Sequence, residues 1–478
     1  MFRRILKPLF ILPIFLILEY PISHSMSTED KEDISIEIIL NKRTLIFSDI
    51  GNLIIENNIE LQSLQVLIES ASFNLSSKIS TRYPTIDLSA NGLPQYLYGE
   101  NFSNNLSDTV SSQYSINPSL NLRWDLIDPL RGTEIKLARN NFEIAKNNYE
   151  IKKRDLIFEA KSRYHNYQKS YAEIQNAEDT LELSLISLRD AEAKLEAGTG
   201  TQFEVLEANA QMSRDKQNLE EKRIIHEINK IALKEILNID LDQEFEIEQE
   251  QSLIGFWNHS LAHIIQIAME NSFSLKNLNL QNLIKQNQAD SFLNANKPTV
   301  YISNTFSSTF TWGSTLTTEI DPDAYGSSFN NKISLNFNWP IFSGGQNQNS
   351  FISKELEAEA EIYAYENLVN IIEKDISETY LNLIRYEKNL LAIEQEIKAI
   401  EESLRLVRLR YEIGISTLKD VLVIQKELSS ARSKRINAIY NYNLTLNKLE
   451  RLTFLLSDEN CTKINSDDTE QIESICDY

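Results

Sequence analysis

The side chains able to do chemistry are sparse in this sequence, and their spacing argues against catalysis. His259 and His263 stand one helical turn apart, but no acidic or third ligand accompanies them, so they read as surface or cap histidines rather than a metal site. No nucleophile elbow, phosphate loop or His–acid cluster occurs, which points away from an enzyme and implies no cofactor. Cys461 and Cys476 share an acidic tail; they either pair across a small loop in an oxidising compartment or remain two free thiols. The remaining candidates are carboxylates. Glu204 and Asp420 lie inside one pattern, Gly-x-x-Thr-x-x-x-Val-Leu, that begins at Gly198 and again at Gly414. An acid there either serves a helix N-terminus or, repeated in several copies, focuses a negative potential that favours cations.

That pattern is one of several that occur twice, roughly 215 residues apart. Tyr83-Pro84-Thr85-Ile86 with Leu88 returns as Lys297-Pro298-Thr299-Val300 with Ile302. Glu56-Asn57-Asn58 with Leu61 returns as Glu270-Asn271-Ser272 with Leu275. Two copies of one large structural unit are expected, over residues 26–250 and 251–456, the first closing on an acidic linker from Asp240 to Glu250.

Both ends of the chain lie outside these units. Arg3, Arg4 and Lys7 precede an apolar run from Leu9 to Leu18, and Ser23-His24-Ser25 offers a small-x-small cleavage site, so residues 1–25 read as a secretory signal peptide. A retained anchor is the competing reading, but the run is short and broken by Pro13. Residues 457–478 form an acidic tail. The formal charge of -22 removes nucleic acid as a partner, since phosphate binding needs clustered Lys and Arg. Only 12 Gly and 10 Pro punctuate 478 residues, which favours long helices.

The elements that would position the two turns follow from periodicity. A helix is expected from Ser48 to about Thr81, capped by Ser48-Asp49 and stopped by Pro84. Alternation at Ile86, Leu88 and Ala90 opens a strand, and Gly92 to Ser111 reads as a long polar loop. The next strand alternates Tyr114, Ile116, Leu120, Leu122, Trp124 and Leu126 with polar residues. A helix then runs to Gly198 with an apolar step averaging about 3.5 residues, the seam of a coiled coil. Its roughly 66 residues make a rod of about 100 Å, and a second helix returns from Gln202 to Asn238. The other half repeats the order: a helix from Leu261 to Asn296, a strand carrying Val300, Ile302, Phe306, Phe310 and Trp312, and a loop from Gly313 to Asn330. A strand with Ile333, Leu335, Phe337, Trp339 and Ile341 follows, then a rod to Tyr411, the turn at Gly414 and a return to Leu455.

The strands decide the class. One face is apolar, with Tyr114, Trp124, Phe310, Trp312, Phe337 and Trp339 expected to face lipid, and the reverse is Ser, Asn, Gln and Arg, the alternation of a transmembrane barrel. Four strands cannot close, because the smallest such barrels have about eight and open edges cannot sit in lipid. The chain must therefore pool its strands with copies of itself.

These residues resemble the TolC-type outer-membrane channel family over nearly the whole mature chain. The resemblance rests on Glu56-Asn57-Asn58, on Trp339 with Gly344-Gly345, and on the two turns. It implies a fold of mixed α and β membrane type: a homotrimer with a 12-stranded outer-membrane β-barrel and a long α-helical coiled-coil barrel crossing the periplasm, built from two tandem repeats per chain. It also implies partners, namely a periplasmic adaptor and an inner-membrane pump of ABC, RND or MFS type, with export of small molecules or unfolded proteins. The turns would lie at the periplasmic tip, where Glu204, Tyr411 and Asp420 match an acidic entrance and gate, and Gly198, Thr199, Thr201, Gly414 and Thr417 would meet the adaptor. The family's gate arginine falls on Ser416 and a second acidic position on Val423, so a sparser acidic ring is implied. The rival class is a periplasmic coiled-coil adaptor or scaffold without its own pore.

Overall fold

The structure, a computed structural model, describes residues 47–101, 109–240, 242, 251–316 and 325–457. The expected signal peptide, nearly all of the acidic linker, and Cys461 and Cys476 lie outside the described residues. Element order is the same in both halves. The first half runs α1 (Ile50–Asn57), α2 (Ile59–Ser80), β1 (Thr85–Asn101), β2 (Thr109–Ile127), α3 (Arg131–Glu196) and α4 (Gln202–Ile236). The second runs α5 (Leu261–Asn271), α6 (Phe273–Asn294), β3 (Thr299–Leu316), β4 (Tyr325–Asn338), α7 (Gln346–Glu412) and α8 (Leu418–Thr453).

Each helix expected before a strand is broken once, at the equivalent residue. Asn58 adopts ψ 119° and accepts from the amides of Glu60 and Leu61 at 3.0 and 3.2 Å. Ser272 accepts from Leu275 at 3.3 Å. Short polar side chains take amides that a continuous helix would need, so each splits in two. The expected cap at Ser48-Asp49 is not built: Asp49 makes no side-chain cap bond, and a short 3-10 turn leads into α1 instead.

The two polar loops expected between strands are mostly strand. β1 continues through Tyr96 and Tyr98 to Asn101, with Tyr96 opposite Tyr114 and Asn101 opposite Thr109. β3 reaches Leu316 and β4 begins at Tyr325, opposite Trp312. Asn, Ser and Gly fill most of one face of this sheet, so local composition there resembles that of a loop. Gly92, at φ +68°, opens a register shift between Asn91 and Gln95, where Gly92, Leu93 and Pro94 stand against Ile116 alone and glycine takes the left-handed backbone easily.

The sheet is antiparallel in the order β1-β2-β3-β4, so the halves join at β2–β3. The rods pack as the seam predicts. On α7, Ile376, Leu383, Leu390, Ile397, Leu404 and Tyr411 step by seven and are all buried. The first three meet Ile439, Tyr442, Leu446 and Leu449 of α8, and the last three enter a cluster with Ala191, Ala208, Leu418 and Val421 near the turns. Between α3 and α8 the contact turns polar at four-residue steps. Gln425 donates to Ser187 at 2.9 Å, Thr180 to Ser429 at 2.9 Å, and Asn176 to Ser433 at 3.1 Å. Arg432 spans the same seam, bridging Asp179 at 2.8 Å and Glu401 at 2.9 Å.

Candidate functional site

Two regions carry the expected functional residues. In the sheet, register sorts side chains by face. Leu88, Leu120 and Phe306 lie abreast, as do Tyr96, Tyr114 and Trp312. The aromatic rings touch: Tyr96–Tyr114 at 4.8 Å, Tyr114–Trp312 at 6.1 Å, Phe310–Phe329 at 5.9 Å and Phe337–Trp339 at 6.5 Å between centroids. This face is uncovered by the chain: Leu88 is 80% exposed and Phe337 65%. Trp124 and Trp339 hold the same place in each half, donating their indole N–H groups at 3.0 Å to the carbonyls of Arg82 and Asn296, just before β1 and β3. An apolar ring with a satisfied polar edge suits a membrane boundary. All six aromatic residues expected to face lipid therefore share one exposed surface.

The reverse face is a polar lattice that repeats with the halves. Ser89 and Ser119 lie 2.8 Å apart with Asn121 donating to Ser89 at 3.4 Å; Ser303 and Ser334 lie 2.9 Å apart with Asn336 donating to Ser303 at 2.9 Å. Arg123 stacks over Tyr301 at 3.9 Å.

At the far end of the rods the two turns are built alike. Gly198 and Gly414 take φ +73° and +81°, the left-handed stop that follows a helix. Lys194 O accepts from Thr199 and Gly200 at 2.9 Å each, and Arg410 O accepts from Ile415 at 2.8 Å and Ser416 at 3.2 Å. Thr201 and Thr417 then cap α4 and α8, with Glu204 and Asp420 reaching back to complete capping boxes. Asp420 also accepts from Ser416 Oγ at 2.8 Å. The Thr417 amide, then the Ser416 and Thr417 hydroxyls, hold its carboxyl below the usual carboxylate range. Glu204 and Asp420 thus serve their own helices.

Tyr411, the residue matched to the gate, packs next to the second turn. It is 4% exposed, inside the chain's own helix cluster. Lys194 donates to its carbonyl and lies 3.5 Å from its ring centroid. Burial, then the charges of Glu204 and Asp190, push its phenol up to about 12. Lys194 was not singled out in the sequence, and only its alignment with Arg410 in the second turn could have marked it. Exposed apolar residues also rim the turns: Phe203, Leu206, Ile413 and Ile415.

The turn glycines give a first expected result. At both positions an added Cβ meets open space, so any cost is backbone strain alone. Val at Gly198 or Gly414 should lower chain stability by about 1–2 kcal/mol each, and Asn, which tolerates this conformation, by less. Thermal unfolding followed by circular dichroism reads the difference; equal Val and Asn midpoints would contradict it.

Among the described residues no helix is long and apolar enough to cross a membrane, and no cluster of His, Cys, Asp or Glu could hold a metal ion. The His259 and His263 rings lie 6.1 Å apart, with Trp257 against His259.

Comparison with known proteins agrees with this arrangement. The sequence matches the family described as outer membrane efflux protein over residues 50–238 and 264–453, one stretch per half. No curated protein matches. Among solved structures, the Campylobacter jejuni CmeC outer membrane channel superposes with a TM-score of 0.69 at 16% identity, over 90% of this chain and 88% of that one. The outer-membrane channel OprN gives 0.69 at 15% identity over 85% and 89%, and the open state of the Neisseria gonorrhoeae MtrE outer membrane channel gives 0.61 at 17% over 87% and 90%. At such identities the superpositions speak for the fold, a helical barrel joined to a β-barrel. With the family match covering most of both halves, the chain belongs to the outer membrane efflux protein family and is an efflux-type outer-membrane channel.

Proposed function

We propose that three copies of this chain form the exit duct of a tripartite efflux pump or a type I secretion system in a Gram-negative-type envelope. The observation that carries the reading is the sheet: four strands, an exposed apolar face, and edges at β1 and β4 that pair on one side only among the described residues. Lipid rejects such edges, so copies must supply the missing neighbours. Three sheets of four strands make a 12-stranded barrel, within the range of outer-membrane barrels. The helical hairpins, each rod of about 100 Å, then continue the wall into the periplasm.

The rimmed turns are the contact for a periplasmic adaptor, which carries the inner-membrane transporter. Gly198, Thr199, Gly414 and Thr417 are exposed there beside Phe203, Leu206, Ile413 and Ile415, an apolar surface that suits a partner helix tip. The rival reading, an adaptor or scaffold without a pore, leaves the aromatic sheet face without a role.

Light scattering of the detergent-purified chain tests the assembly, and planar-bilayer recording tests the duct. Trimers with step-like conductance are expected; a detergent-free, water-soluble monomer would overturn the proposal. The acidic turns add a finer expectation. Glu204→Gln with Asp420→Asn keeps hydrogen-bonding groups at both caps while removing six charges from a trimer, two per chain. Cation-over-anion permeability should fall about twofold. Unchanged selectivity would leave both residues as caps only.

A further inference from the structure

The two halves differ where each broken helix meets the end of its returning rod. In the first half, two asparagines close this junction. Asn58 donates to the Ile236 carbonyl at 3.4 Å, and Asn238, left-handed at φ +54°, donates to the Asn57 carbonyl at 3.2 Å. In the second half the corresponding residues are Ser272 and Phe454, and neither has a side-chain amide to donate. The Ser272 hydroxyl is taken up by the Leu275 amide at 3.3 Å. Phe454 keeps the left-handed backbone at φ +68°, a conformation that Asn tolerates and a bulky residue avoids.

A cation stands where the hydrogen bonds are missing. The Arg154 guanidinium of α3 lies 3.4 Å from the Phe454 ring centroid and 5.6 Å from that of Phe273, and the two rings are 6.0 Å apart. Its Nε is buried without a hydrogen-bond partner, and among the described residues no carboxylate pairs with it. Burial lowers its pKa against the smaller opposing charge of Glu150, which Lys153 already holds at 2.7 Å. Beside the guanidinium is a space of about 120 Å³, lined also by Ser274 and Arg451 and walled by Leu368 and Ile372 of α7. Arg451 spends its charge on Asp155, to which its Nε donates at 2.6 Å. The charge of Arg154 is left uncompensated.

We propose that this space binds a small oxyanion of the phosphate class, with Arg154 as its principal ligand and Arg451 and Ser274 at its edge. A guanidinium stacked on a ring keeps its N–H donors in its own plane, free to take an oxyanion in a forked pair. The apolar walls strengthen that attraction by holding water back. The space is roughly four times one water's share of the liquid, which admits a phosphate or sulfate ion and excludes a nucleotide. A bound ion would tie α3, α6 and α8 together at the second junction, as the two asparagine amides tie the first.

Calorimetric titration of the detergent-purified full chain with sodium phosphate, in chloride at constant ionic strength, tests the site. The unaltered chain should bind phosphate, and Arg154→Gln should bind it about tenfold more weakly. Arg154→Lys keeps the charge but not the fork, and should fall between the two. Phe454→Asn puts the first half's residue at the second junction, where its amide can reach the Asn271 carbonyl as Asn238 reaches that of Asn57. It should weaken phosphate binding by a similar factor while its thermal midpoint in chloride holds, so a failure of Arg154→Gln to fold would not leave the site untested. No phosphate binding by the unaltered chain, or equal binding by it and by Phe454→Asn, would overturn the site and leave Arg154 a guanidinium that only packs against its rings.

Discussion

Phe306→Arg is expected to abolish assembly in the outer membrane, whereas Ser307→Arg, one residue on, is expected to be tolerated. Phe306 lies near the middle of β3, between Leu120 and Asn331, on the exposed apolar face. Ser307 lies between Ser119 and Asn330 on the polar face. A guanidinium on the lipid side of a barrel near the bilayer midplane costs about 2–4 kcal/mol, while a lumen-side substitution leaves the barrel in place. The trimer takes that cost three times, roughly 6–12 kcal/mol per barrel, comparable to the whole stability of an ordinary domain. Neighbours cannot relieve it, because β3 is paired on both sides and cannot tilt the side chain through the sheet. Heat-sensitive trimers on denaturing gels of the outer-membrane fraction are the readout. Equal yields for the two variants would mean that the aromatic face does not meet lipid.

The contrast between those adjacent residues was legible in the sequence, because a two-residue period survives any error in strand length. The seven-residue ladder on α7 was legible for a similar reason: Ile376 through Tyr411 repeat often enough to outweigh local composition. Strand ends were not. Tyr96, Tyr98 and Phe329 sit among Asn, Ser and Gly, and only pairing across the hairpin makes strand of residues that local composition reads as loop. The helix breaks at Asn58 and Ser272 were hidden too, since a polar residue within an amphipathic run looks like the outer face of one helix until its own backbone turns.

At the turns, both carboxylates could be read as helix acids or as an entrance, and their capping boxes are local enough to see in Thr-x-x-Glu and Thr-x-x-Asp. The setting of Tyr411 was not local. Its closest polar partner, Lys194, is 217 residues away, on the rod of the other half. Residues that take their roles from the junction of the two repeats are invisible to any reading of one repeat at a time.

The same long-range packing makes acid sensitivity the second large expectation. His165, on α3, is 1% exposed, with Phe47 and Tyr164 rings at 5.1 and 5.8 Å. Its Nδ1 lies 3.2 Å from Gln168 Oε1, and its Nε2 has no hydrogen-bond partner. Burial, with the Lys161 ammonium assisting, lowers its pKa to about 4, against smaller opposing effects of Gln168 and Glu450. Lys161 and Glu450, from α3 and α8, pair with each other at 2.9 Å. The sign follows from which state binds the proton. Below about pH 6.5 the unfolded chain protonates this imidazole while the folded chain does not, so stability declines as pH falls towards 4. At pH 5 that is roughly 1.5 units, or about 2 kcal/mol per chain. His226 on α4, stacked on Tyr167 at 4.4 Å with Ser170 Oγ at 2.9 Å from its Nδ1, is shifted down by burial as well and adds to the trend. His165→Gln removes the titration, so the loss of stability between pH 7.5 and 5 should shrink by about 2 kcal/mol per chain relative to the unaltered protein. Carboxylates titrate alike in both proteins and cancel in the comparison. Denaturant midpoints at the two pH values measure it; an undiminished loss in His165→Gln would show that this imidazole takes up its proton within the folded chain.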